Sequence, residues 1–120
     1  MYRNYNMNPR NNNVTDCFIR SLSCATGKSW DFTFNKISDM AQWNGTTMDN
    51  KDFILEYLDR NFKRMPKFYG TIGEASEYYD KDIILVTTPG HIVCCKYGNL
   101  YDTWDSSDRF VEFIWKVERD

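Results

Sequence analysis

The chain predicts an α+β domain in which N-terminal helices precede a small antiparallel β-sheet. Three observations carry this. Up to about Tyr78, apolar side chains recur at helical spacing in four stretches, each bounded by residues that cap or break helices. From Asp82 onward the apolar residues run continuously or alternate, as strands do. These later stretches are joined by Pro89-Gly90 and by Tyr97-Gly98-Asn99, both short enough for hairpins.

Taken in order, residues 1–13 form an Asn-rich lead that reads as irregular. Thr15 is placed to cap a first helix, with Asp16 in its first turn, a stripe of Phe18, Ile19, Leu22 and Ala25, and Gly27 to stop it. A second helix starts at Ser29, carries Trp30, Phe34, Ile37 and Met40/Ala41 on one side, and breaks at Gly45. Asp49 is a candidate cap for a third, with Phe53, Ile54, Tyr57, Leu58 and Phe62 inward and Pro66 as its end. Thr71-Ile72-Gly73-Glu74 has the spacing of a capping box that opens a short fourth helix through about Tyr78. Strands are expected over 82–88, 91–96, 100–104 and 110–117, as a meander. Trp30, Phe34, Trp43 and Phe53 read as core.

A length of 120 residues fits a single domain spanning 1–120. Aromatic residues make up 17% of it, so a small chain still buries a large apolar area. Fifteen Lys and Arg against seventeen Asp and Glu provide no basic face for nucleic acid and no polybasic patch for a membrane. The polar start predicts no secretory leader, and no apolar run nears the roughly 20 residues that span a bilayer. The expected compartment is therefore the cytoplasm, of a bacterium or an infected host cell. The four cysteines are expected to be free thiols there. Cys17 and Cys24 sit about 10 Å apart along one helix, too far to bridge, and Cys94 and Cys95 alternate across a strand. A zinc site from Cys17, His91, Cys94 and Cys95 would lack any Cys-x-x-Cys pair, so neither metal nor cofactor is expected.

Cys17 opens the first helix. Unpaired amides and the helix dipole there favour a thiolate, and the same amides can donate to an oxyanion. The only histidine, His91, begins a strand directly after Pro89-Gly90. A thiol and an imidazole brought together make a nucleophile and its base. Asp102, Asp105 and Asp108 follow on the next strand and loop, and one carboxylate would orient the imidazole. A two-residue turn at Gly98-Asn99 would leave Asp102 on the histidine's face but four residues, roughly 13 Å, along the strand. A three-residue loop over Tyr97–Asn99 would put Asp105 opposite His91. A bulge would bring Asp102 back.

Asn11…Asp16-Cys17, Gly90-His91-Ile92-Val93 and Tyr101-Asp102-Thr103-Trp104 together resemble the papain-like cysteine peptidase superfamily. The branch most similar is the C39-like peptidases, with small bacterial and phage-encoded members. The resemblance spans nearly the whole chain and implies a minimal papain-like fold, with the nucleophile on an N-terminal helix and histidine and Asp or Asn on adjacent strands. It favours Asp102 as the third residue, since Asp102-Thr103-Trp104 is similar to the family's Asn-Ser-Trp, whose indole shields the histidine. It also implies an oxyanion-hole side chain six residues before the cysteine. That position is Asn11, where the family has Gln, with Asn13 as an alternative.

The expected activity is a cysteine peptidase or amidase that uses Cys17, His91 and Asp102 to pass an acyl group to water, with a peptide or protein as substrate. Two alternatives stand beside it. One is a non-catalytic peptidase-like module that binds a protein partner or belongs to a virion, since so short a chain leaves little for a substrate groove. The other is an acyltransferase using the same three residues.

Overall fold

The computed structural model describes residues 1–10 and 16–118 of the chain. In it, β1 (Tyr2–Asn4) is followed by α1 (Cys17–Thr26), α2 (Trp30–Trp43), α3 (Lys51–Asn61), β2 (Lys63–Arg64) and α4 (Ile72–Tyr78). Then come β3 (Ile83–Thr88), β4 (His91–Lys96), β5 (Asn99–Asp102) and β6 (Phe113–Val117). The six strands form one mixed sheet in the order β1-β5-β4-β3-β6-β2. The α+β class therefore holds, and the expected sheet is extended at both edges.

The helices begin and end for local reasons. Ser29 accepts from the Phe32 amide at the start of α2, and Gly27, at φ 76, ends α1 in the left-handed conformation. At α3 the cap is Asn50, which accepts from the Phe53 amide, and not the expected Asp49. This helix also ends at Asn61, before Pro66, because Phe62 turns extended and leads straight into β2. The capping box of α4 forms as read: Thr71 and Glu74 bond each other's amides. Trp43 is a correction. At 91% exposure it lies off the buried stripe of Trp30, Thr33, Ile37 and Ala41. The expected cap at Thr15 lies outside the described residues.

Strand β3 is buried along its whole length because both faces of the sheet are covered. Ile83, Leu85, Ile92, Cys94, Trp115 and Val117 pack against α1, α2 and α3. Ile84, Val86, Val93, Cys95, Leu100 and Ile114 pack with Ile72 and Ala75 of α4. Cys94 and Cys95 thus face opposite cores, and all four cysteines are free. The strands do not form a plain meander. β6 crosses back to pair with β3, which puts β3 in the middle of the sheet.

Two departures from the sequence reading position the site. The first is the hairpin between β4 and β5, whose turn is Tyr97-Gly98, at φ 51 and 83. Positive φ at both central residues is the geometry that matches the twist of a two-residue hairpin. Cys94 then pairs with Tyr101. Asp102 is therefore aligned with Val93, two residues (roughly 7 Å) from His91 on the same face rather than four. No bulge is needed to bring it within reach. The second departure is the lead, which is not irregular throughout. Tyr2–Asn4 pair in parallel with Leu100, Tyr101 and Asp102. The Tyr5 amide then donates to the Asp102 carbonyl at 2.8 Å, so the lead holds the backbone of β5 at that residue.

Candidate active site

Helix α1 packs along β4 and begins with Cys17 beside the start of that strand. Its N-cap, Asp16, does not cap. No side-chain bond closes the first turn, because the Asp16 carboxylate is drawn sideways to the Trp30 indole N–H at 2.9 Å and to the Arg20 guanidinium. Among the described residues the first amides of α1 therefore keep their donors. They point where an anion at Cys17, or an oxyanion formed from its substrate, would sit.

His91 lies between Cys17 and Asp102. Its Nε2 meets Asp102 Oδ2 at 2.6 Å, and the Cys17 thiol is close enough to the ring to act on its protonation. With Nε2 taken by the carboxylate, Nδ1 is the ring nitrogen left for sulfur. The Ile92 amide also favours the ionised form of that sulfur. Trp104 stacks obliquely on the imidazole, with ring centroids 4.8 Å apart, and the Arg109 guanidinium lies over the indole, 5.4 Å from its centre.

Asp102 is 4% exposed and each of its oxygens has separate partners. Oδ1 accepts from the Thr103 amide at 2.7 Å and lies 3.7 Å from Arg20. Oδ2 faces His91, with the Ser106 hydroxyl at 3.5 Å. Asp105 is exposed and bonds the Ser107 amide, so the carboxylate that reaches His91 is Asp102. Asn11 and Asn13 lie outside the described residues. Asn8, nearer the start of the lead, is buried and donates to Asp16 at 3.4 Å. Among the described residues, no three His, Cys, Asp or Glu side chains gather where a metal ion would be held.

Charge and burial act against each other here. Burial pushes the Cys17 thiol up, but the bond and charge of His91, the Ile92 amide and Arg20 outweigh it, and the net shift is down. Burial pulls His91 down, but its bonds to Asp102 and Cys17, with the charges of both, lift it from 6.5 to about 9. Both shifts move the pair toward thiolate and imidazolium. Because the histidine is raised in the folded state, the stability it contributes is complete below about pH 6.5 and disappears as pH climbs through about 9. Turnover that requires the imidazolium proton is expected to fall on the alkaline side near pH 9. The acid limb lies below the ordinary thiol range, where Cys17 regains its proton. A pH profile of kcat/KM checks both limbs.

A cleft of about 750 Å³ opens directly from Cys17 and His91. It is lined by Trp30 and Phe34 of α2, Ile54 and Leu55 of α3, and Phe18, Ile19 and Ile92. Two ion pairs stand on its rim, Arg10 with Asp31 at 2.6 Å and Lys51 with Glu112 at 3.0 Å. The short chain thus builds a larger groove than its length suggests, because three helices and the end of a sheet share the enclosure.

The sequence reading missed Arg20. An Asp–Arg pair at i, i+4 that straddles the candidate nucleophile was its only local signal. Comparison with protein-family models, with curated proteins and with solved structures finds no match to this chain. No described helix is long and apolar enough to cross a membrane.

Proposed function

We propose that this protein is a thiol-dependent amide hydrolase of the papain-like kind, acting on a peptide or protein. The observation that supports it most is the single histidine held between a thiol and a buried carboxylate at the mouth of an apolar cleft. The Cys17 thiolate attacks the scissile carbonyl, and the first amides of α1 receive the oxyanion. The imidazolium of His91 gives its proton to the departing amine as the C–N bond breaks, leaving a thioester on Cys17. His91, now neutral, takes a proton from water, which attacks the thioester and releases the acid and the thiolate. Asp102 keeps the imidazole oriented and its positive form stable.

The cleft suggests what flanks the bond. Its walls of Trp, Phe, Ile and Leu favour a bulky apolar side chain next to the scissile amide. The test is to incubate the wild-type protein under reducing conditions with a mixed-sequence peptide library and read new termini by mass spectrometry. Cleavage beside bulky apolar residues is expected, and none with Cys17→Ala. Peptides left intact by the wild type would favour the binding module instead.

A further inference from the structure

We infer that Arg20 is a positioning residue of the same site, clamping Asp102 from behind so that its other oxygen stays fixed on His91. This rests on the thiol-hydrolase reading above. Arg20 is one turn along α1 from Cys17, and its side chain is only 14% exposed. Its two terminal nitrogens serve different carboxylates: one bonds Asp16, and the other lies 3.7 Å from Asp102 Oδ1. Asp16 is itself anchored by the Trp30 indole, which also lines the cleft.

From sulfur inward the groups are therefore Cys17, His91, Asp102, Arg20 and Asp16. With a thiolate and an imidazolium at the outer end, they alternate in sign. Tyr2 of β1 adds a hydroxyl that donates to the Asp102 carbonyl. Arg20 is the partly buried cation that the two nearly buried carboxylates share, and losing its reach to either would leave that carboxylate short of a partner. A guanidinium does so because its fork presents several N–H groups in fixed directions, whereas an ammonium is a single point. The consequence for chemistry lies at Asp102. With Oδ1 held by the Thr103 amide and Arg20, the carboxylate cannot swing, and Oδ2 keeps His91 turned toward Cys17.

Arg20→Lys tests this without changing the net charge. The readout is the pH profile of Cys17 alkylation by iodoacetamide, with Tm measured beside it. Wild-type Cys17 is expected to react at pH 6 as a partly ionised thiol. The folded Arg20→Lys protein is expected to react roughly tenfold more slowly there, with its profile moved toward higher pH, as a loosened imidazole stabilises the thiolate less. Asp16→Asn, which leaves Arg20 in place but loosens its anchor, is expected to shift the profile in the same direction by less. It carries the test if Arg20→Lys does not fold. A folded variant whose profile superimposes on that of the wild type overturns the inference. Wild-type Cys17 that reacts like an ordinary thiol instead overturns the hydrolase reading on which the inference stands.

Discussion

Cys17→Ala is expected to lower peptide turnover by about 10⁴-fold or more while leaving the fold intact. The size follows from what is removed. The variant loses the thiol at the cleft mouth, and among the described residues no other thiol lines the cleft. Cys24, Cys94 and Cys95 are all buried in the cores. Residual activity would come only from the first amides of α1 and from substrate binding. The structural cost is small, because Cys17 is half-buried at a helix start, where alanine is a good helix residue. A circular dichroism spectrum and a Tm close to those of the wild type, together with lost turnover, are the expected pair of results. Turnover retained within tenfold would mean that the thiol is not the nucleophile.

The largest expected loss of stability is at Trp115. This side chain is fully buried in β6, where it packs with Phe113 and under Arg64, and its indole N–H donates to Asp59 at 2.9 Å. It belongs to the core that carries α1 and α3 on the sheet, so it supports the wall of the cleft indirectly. Trp115→Ala is expected to cost about 3–5 kcal/mol, as large aromatic truncations in a core do. For a domain of this size that is a fall in Tm of about 15 °C. Trp115→Phe keeps most of the volume and gives up the hydrogen bond, and is expected to cost about 1 kcal/mol. Urea or thermal denaturation of both variants measures the difference. Equal losses in the two would place the stabilisation in the bond to Asp59 and not in packing.

Much of this was legible in the residues themselves. The buried stripes of α1 and α3, the capping box of α4 and the exact span of β4 follow from local periodicity and local caps. Cys17 and His91 stood out because one begins a helix and the other is the only histidine, and the structure brings their side chains together.

What was not legible depends on non-local pairing or on a single unfavourable conformation. Tyr97 occupies a left-handed position that Asn or Gly usually fills, and this moved the hairpin turn by one residue and brought Asp102 two residues closer to the histidine along the strand. Tyr2–Asn4 has no strand-like alternation of its own, and becomes β1 only because β5 offers a free edge. Trp43, expected in the core, lies off the stripe that the helix buries. Arg20 resembled an ordinary surface pair until the fold placed Asp102 behind it. The cleft is made by α1, α2, α3 and the ends of β3 and β4 together, and no one segment announces it.

The proposed hydrolysis requires Cys17 to be an activated thiolate in the folded protein. Alkylation at pH 6 with limiting iodoacetamide, followed by mass mapping of all four cysteines, tests this most directly. Cys17 is expected to carry nearly all of the label, and His91→Ala to lower its rate by roughly tenfold or more, toward that of an ordinary thiol. Equal labelling of Cys17 in the wild type and in His91→Ala would contradict the account.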